Sequence, residues 1–387
     1  MIFCPSNPLE PVTRILCMEV KIAGFCRTRG VSCVHMEEAP WKGRGAKKRL
    51  ANPFEKQKAV RLFEEGLDLP KDGPERTRYI EVFPKQIISK NDSPDVPFNL
   101  SINPYQGCEH GCPYCYARNS HEYWGYEAGL AFEQTILVKK DADKLLEREF
   151  QKESWVVKPI MLSGNTDCYQ PAERLFGLTR SLLKIFARYQ HPVALITKHS
   201  AILEDLDILQ ELGDKNLVHV AVSLTTLNEE LRRNMEPRTA TVKNRLKTIR
   251  ELSNAGIPVH VNLAPIIPAL NSDEVFELVK VASEHGARSA SYIMVRLNGR
   301  ISEVFEGWIR NTYPLRADKA LSLIKETHDG KLNESRWGSR MKGEGRYAEQ
   351  IAEMFRLARK KYLPDKPKTN LRTDLFLRNK KGQLGLF

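Results

Sequence analysis

No stretch of this 387-residue chain approaches the roughly 18 consecutive apolar residues of a bilayer-spanning helix, so no transmembrane segment is expected. The amino terminus lacks the charged start, apolar core and small-residue cleavage site of a secretory signal. Cysteine is sparse. There are eight, three of them crowded between residues 108 and 115, which excludes a disulfide framework and fits a metal site in a reducing compartment, the cytoplasm. No second cluster suggests a further metal centre. Hydrophobic residues make up 41% of the chain and mean hydropathy is −0.43, the balance of a soluble globular protein large enough for one barrel-sized domain with extensions.

Positive charge is abundant but unevenly placed. The net formal charge is +12, and residues 331–387 hold 15 Lys/Arg against 6 Asp/Glu. Residues 51–330 are close to neutral. Basic excess confined to the ends suits contact with a polyanion such as DNA or RNA, and equally suits solvated tails. Residues 1–35 contain Cys4, Cys17, Cys26 and Cys33 with little periodicity. They are expected to be a non-native or disordered extension, with the true start at Met36. A Gly-rich basic tract follows at Trp41–Arg49. It reads either as a phosphate-approaching loop or as a linker.

The most informative stretch is Asn103–Arg118, with Cys108, Cys112 and Cys115 at spacing C-x3-C-x2-C in a Gly- and Pro-rich loop. Three thiolates could hold three irons of a cubic cluster and leave the fourth iron open, whereas clusters used only for electron transfer usually have four Cys ligands. A Cys3His zinc site using His110 is the alternative. Against it, no second ligand pair follows at finger-like spacing, and the gaps beside His110 are short for a tetrahedral site.

From residue 98 a regular alternation begins. Strands are expected at Phe98–Ile102, Pro159–Ser163, Pro192–Thr197, Leu217–Leu224, Pro258–Ala264 and Ala290–Leu297. Helices are expected at Ala172–Arg188, Ala201–Leu212, Ala240–Ala255 and Asp273–His285. Six βα units suit an α/β fold of the partial, open (β/α)6 TIM-like kind, with chemistry at the carboxyl ends of the strands. The expected organisation is an extension over 1–35, a basic segment over 36–97 with one short helix at Glu55–Glu65, the barrel over 98–300, and a helical cap with a basic tail over 301–387. The cap is read with helices at Ala317–Glu326 and Tyr347–Lys361. Between them Arg336, Trp337 and Arg340 could pair phosphate and stack a base, or simply cover the open side of the barrel.

Strand ends carry polar groups: Ser163-Gly-Asn165-Thr166-Asp167, Thr197-Lys198, Ser223, Ala264-Pro265 and Arg296-Leu-Asn298. With the cysteine loop they resemble the radical S-adenosylmethionine (SAM) superfamily. Within it the chain resembles the spore photoproduct lyase-like branch, the relatives of DNA repair photolyase. That likeness rests on Gly43–Ala46, Asn103–Arg118 with His121–Tyr123, Ser163–Glu173, Lys198, Ser223, Met235–Thr239, Ala264-Pro265 and Gly338–Gly343.

The resemblance implies a [4Fe–4S] cluster on Cys108, Cys112 and Cys115, with SAM on the open iron. It also implies reductive cleavage of SAM and hydrogen abstraction from a substrate, nucleic acid among the candidates, with electrons from a donor such as flavodoxin or ferredoxin. Carried over by position, Tyr114 and Tyr116 lie near the adenine, Tyr114 being a catalytic candidate as well. Ser163, Asn165 and Thr166 lie near the methionine amino group, Lys198 near its carboxylate, Ser223 at the ribose, and Ala264 at the adenine edge. One departure matters. The lyases place a hydrogen-donating Cys ahead of their Thr/Ser-Ser-Asp run, whereas here the Cys follows the Asp as Cys168. Cys168 is thus a displaced hydrogen-donor candidate or a buried inert thiol, and thymine-dimer reversal is not expected. Two other readings stay open: a non-catalytic zinc protein that binds nucleic acid, and a radical SAM enzyme acting on a small molecule or peptide.

Overall fold

In a computed structural model, the described residues are 44–46, 50, 52, 54, 77–363 and 370–378. The helix expected at Glu55–Glu65 and the cysteines of residues 1–35 lie outside them.

All six expected strands form. They are β3 (Leu100–Ile102), β6 (Ile160–Leu162), β7 (Val193–Thr197), β8 (Val218–Ser223), β9 (Val259–Ile266) and β10 (Ser289–Met294). Three others are β1 (Arg78–Val82), β4 (Tyr105–Gln106) and β5 (Thr135–Lys139), and a tenth, β2 (Ile88–Lys90), pairs antiparallel with β3. The large sheet runs β10-β9-β8-β7-β6-β3-β2, parallel from β3 to β10. It does not close. A small second sheet, β1-β5-β4, lies outside the expected alternation; it forms because Tyr105 and Gln106, inside the cysteine loop, pair with Val138 and Leu137.

Alternation along the strands sorts the two faces. Val193, Leu195, Val218, Val220, Val222, Val259, Val261 and Leu263 are buried in one apolar core with Leu183, Phe186, Leu209, Leu252 and Leu278 of the covering helices. Each such side chain contributes about 1.5–3 kcal/mol of burial, so register is firmly set. The alternate residues, among them Ile196, His219, Asn262 and Ser291, are only half-buried and line the concave face.

Helices differ in detail from expectation. The helix expected at Ala172–Arg188 breaks into Glu173–Phe176 and Leu178–Arg188 at Gly177, where φ is 60°. The helix expected at Ala201–Leu212 begins as a 3-10 turn, Ser200–Asp205. The one expected from Ala240 starts at Val242 behind a Thr241 cap, whose hydroxyl accepts the Asn244 amide. Strand β10 stops at Met294 rather than Leu297, because Val295 and Leu297 turn into an apolar cap with Phe305 and Trp308 of the helix Ile301–Thr312.

The two edges of the large sheet are spanned by residues 332–342. On the β10 side, the Met294 amide donates to the Met341 carbonyl at 3.0 Å, and Lys342 Nζ donates to the Tyr292 carbonyl at 2.9 Å. On the β2 side, Arg340 pairs with Asp95, and the Gly338 amide donates to Asp95 at 2.8 Å. This segment covers the open seam, so Arg340 has a structural role.

Candidate active site

Strand β3 delivers the chain to the carboxyl end of the sheet, and the cysteine loop begins there. The Cys108 amide donates to the Phe132 carbonyl at 2.9 Å, and the Cys115 amide to the Cys112 carbonyl at 3.3 Å. A tight coil follows and runs into the short helix Arg118–His121. Cys108, Cys112 and Cys115 are all free thiols, two of them buried and the third half-buried. Burial pushes all three thiols up, and at Cys108 Asp167 and the other two cysteines add to the shift. Bound metal is what would hold such groups as thiolates.

Two buried charge networks fix this loop. In the first, Arg118 donates from Nε to the Cys112 carbonyl at 2.9 Å and from Nη1 to the Ala128 and Gly129 carbonyls at 3.0 and 2.8 Å. Its Nη2 meets Glu133 Oε1 at 2.5 Å, both side chains being fully buried. Glu133 also accepts the amides of Gly45 and Ala46, at 3.1 and 2.7 Å. A Cβ on Gly45 would lie 1.6 Å from the Gly111 carbonyl oxygen, so only glycine allows this approach. The described part of the Gly-rich basic tract, residues 44–46, therefore grips a carboxylate under the cysteine loop; the rest of the tract lies outside the described residues.

In the second network, Tyr114 donates its hydroxyl to Glu236, which also accepts from Thr225 at 2.9 Å and from Arg245 Nη2 at 2.5 Å. Arg245 further donates to the Ser223 carbonyl at 3.0 Å. Burial works against ionising the Glu236 carboxyl, but Arg245 and Lys198 outweigh it and hold it below the usual carboxylate range. Tyr114 is thus anchored from the middle of the motif across to β8.

The strand-end residues fall into two groups. Ser163, Asn165 and Thr166 are engaged within the protein. Ser163 (φ 77°) donates to the Thr166 carbonyl at 2.8 Å and accepts the Cys168 amide at 3.0 Å. The Asn165 amide donates to Asn103 at 2.7 Å and its side chain to Ser120 at 2.9 Å. Thr166 donates to the Tyr105 carbonyl at 2.6 Å. These residues weld the β6 loop to the cysteine loop and leave Ser163 and Thr166 with little hydroxyl capacity for a ligand. Asp167 continues the weld, accepting from the Thr197 hydroxyl and the Lys198 amide, each at 2.8 Å.

The second group is free. Lys198 makes no side-chain ion pair or hydrogen bond among the described residues, and its charge favours the thiolate forms of Cys112 and Cys115. The Ser223 hydroxyl has no hydrogen bond there either, and Ala264 lies half-buried on the concave face of β9, ahead of a cis peptide bond to Pro265. Tyr116 is 52% exposed and donates to the Gly164 carbonyl.

His110 is buried, 3.4 Å from Asp167 through Nδ1, and stacked on His199; burial lowers its pKa to about 4. Among the described residues no three His, Cys, Asp or Glu side chains gather to hold a single metal ion. His110 turns Nδ1 to Asp167 and leaves Nε2 without a partner among the described residues. A cubic cluster takes one thiolate at each of three corners, and three free thiols from one loop supply that donor set. Cys168 is fully buried in the helix–sheet core, its carbonyl accepting from Thr179 at 2.8 Å. The thiol packs in that core beside Leu162 and Tyr169, and Cys168 stays open between a displaced hydrogen donor and an inert thiol.

Sequence reasoning gave no role to Arg118, Glu133, Glu236 or Arg245. Arg118 and Glu236 lie within motifs already singled out. Glu133 had no such signal, since its partners are 15 and 87–89 residues away in the chain.

The sequence profile of the Radical SAM superfamily matches residues 102–282. An uncharacterized protein of Mycobacterium tuberculosis is 31% identical over 237 residues, 60% of this chain and 70% of that protein. One of Methanocaldococcus jannaschii is 25% identical over 213 residues, 55% of this chain and 76% of that protein. Among solved structures, spore photoproduct lyase complexed with dinucleoside spore photoproduct superposes with a TM-score of 0.54 at 16% identity, over 74% of this chain and 80% of that one. A point mutant of the lyase gives the same TM-score at 18% identity, over 73% and 80%. The likeness to the lyase is one of fold, including its TIM-like barrel. With the cysteine loop on the first barrel strand and the profile across the sheet, the chain belongs to the radical SAM superfamily and is a radical SAM enzyme.

Proposed function

We propose that Cys108, Cys112 and Cys115 hold a [4Fe–4S] cluster with one iron left for SAM, and that the protein cleaves SAM reductively to take hydrogen from a substrate on the concave face. The observation that carries this reading is three free thiols in one doubly anchored loop, within the electrostatic reach of the Lys198 ammonium, which has no side-chain partner among the described residues. When bound, the cluster supplies an electron and SAM supplies a 5′-deoxyadenosyl radical. The chain's own part is binding, orientation and exclusion of water. Lys198 offers a cation for the methionine carboxylate, Ser223 a hydroxyl for the ribose, and Ala264 a backbone edge for the adenine. Tyr114, immobilised by Glu236, walls the nucleoside side. Asn165 and Ser163 act mainly by holding the β6 loop against the cysteine loop.

A reducing cytoplasm suits free thiols of this kind, and flavodoxin or ferredoxin is the class of electron donor the reading requires. Nucleic acid is the substrate class we favour. The basic carboxyl-terminal region supports it, as does the fold shared with an enzyme solved in complex with a dinucleoside photoproduct.

Anaerobic reconstitution tests the metal assignment. Wild type and His110→Ala should bind iron and sulfide in equal amounts, close to four of each per chain. Cys112→Ala should lose them. Stoichiometric zinc without sulfide in the wild type would refute the proposal.

A further inference from the structure

The concave face has an unusual charge balance. None of the six barrel strands contains an Asp or Glu. Cations stand at its rim, Lys198 after β7, Arg296 after β10 and Arg340 on the segment covering the seam, while the rim carboxylates Asp167 and Asp95 are already engaged within the protein. Lys198 belongs to the SAM side, and Arg340 is engaged with Asp95 and Ser93. Arg296 is left.

Its position is well defined. The Val295 amide donates to the Ile266 carbonyl at 2.9 Å and the Leu297 amide to the Leu332 carbonyl at 3.0 Å, which pins the backbone on both sides. Val295 and Leu297 are buried in the apolar cap, and Arg296 between them is half-buried outside that cap. Its electrostatic neighbours are Arg340, Tyr116 and Asp95. The two Asp95 oxygens accept from the Gly338 amide and from Arg340, so that carboxylate is already satisfied. Arg296 itself makes no hydrogen bond or ion pair among the described residues. Burial, reinforced by Arg340, lowers its pKa. A planar group with five donors, partly desolvated beside a second guanidinium, is costly unless an oxyanion completes it.

We infer that Arg296 anchors a phosphate of the substrate, and that the substrate is a nucleotide-containing molecule whose phosphodiester rests on this guanidinium. The inference builds on the proposed function and names a contact within it. Tyr116, the residue after the last cysteine of the motif, is within electrostatic reach of Arg296, so an anion held there lies on the cysteine-loop side of the face. Trp337 is 55% exposed and carries the Arg340 guanidinium 5.1 Å from its ring centroid. An aromatic plane next to a guanidinium pair matches a base linked to a phosphate better than a bare carboxylate.

The test is equilibrium binding to the full-length, anaerobically reconstituted protein. The probes are a dinucleoside monophosphate, its neutral methylphosphonate counterpart, and a short peptide with a free carboxylate. The wild type should bind the charged dinucleotide at least about tenfold more tightly than the neutral one, as expected for a charge-assisted contact. Arg296→Gln should abolish that discrimination and Arg296→Lys should keep part of it, with iron content and circular dichroism reporting that each variant is folded. Four results would overturn the assignment: no measurable binding at millimolar concentration, equal binding of the charged and neutral probes, discrimination intact in Arg296→Gln, or tighter binding of the peptide. Binding is read whether or not SAM is cleaved, so failure of the radical chemistry and failure of the phosphate contact give separate signals.

Discussion

Removing the Glu133 carboxylate should loosen the cysteine loop more than any single change to a residue lining the mouth. Glu133 compensates Arg118, a fully buried guanidinium that also holds the Cys112, Ala128 and Gly129 carbonyls. In Glu133→Ala that charge stays buried with no counter-ion, and the Gly45 and Ala46 amides lose their acceptor. Breaking one side of a buried ion pair costs about 3–5 kcal/mol. Two amides left without partners add about 1–3 kcal/mol each where water does not reach them. Together these are a large share of the roughly 5–15 kcal/mol that keeps a typical domain folded. Denaturant unfolding followed by circular dichroism should therefore show a midpoint well below wild type, and any folded variant should lose iron faster to a chelator. Glu133→Gln, which keeps an acceptor oxygen, should fall between. A variant Glu133→Ala with wild-type stability and iron retention would refute the claim that this pair holds the loop.

Further consequences can be measured in the same preparations. Lys198→Ala should keep its iron but bind SAM about ten- to a hundredfold more weakly by calorimetry, as loss of one charge-assisted contact implies. Gly45→Ala, whose new Cβ would sit on the Gly111 carbonyl, should express poorly or fail to retain iron, whereas a surface Gly→Ala change such as that at Gly307 should do neither. Cys168→Ala should leave 5′-deoxyadenosine formation intact, because the thiol is packed in the core; loss of that product with the fold retained would contradict the packing role. His191 is buried among Phe150, Trp155 and Phe376, and burial lowers its pKa to about 3. The unfolded chain then binds the extra proton between about pH 3 and 6.5, so stability should fall as pH drops through that window, by up to about 1.4 kcal/mol per unit from this site. His191→Phe should flatten that acid limb.

The barrel was legible because its strands are short, apolar and regularly spaced, and the metal loop because three cysteines at that spacing have few other uses. The networks that stiffen the loop were not. Arg118 and Glu236 sit in conspicuous motifs, yet their partners are set by tertiary packing, and a buried carboxylate such as Glu133 looks in sequence like any solvated one. Gly45 shows how local chemistry misleads, since it serves close approach to Gly111. The small sheet resisted reading for another reason. Strands β4 and β5 pair across a sheet whose shortest member is two residues long, below any periodic signal. The Arg336–Arg340 segment presented one composition with two outcomes, and only the Asp95 contact decided that Arg340 covers the seam.

The account is tested most directly by SAM turnover in the dithionite-reduced, reconstituted enzyme under anaerobic conditions. It predicts formation of 5′-deoxyadenosine and methionine by the wild type and by His110→Ala, and none by Cys112→Ala. Absence of 5′-deoxyadenosine from wild-type protein that carries its full complement of iron and sulfide, with SAM bound, would contradict it.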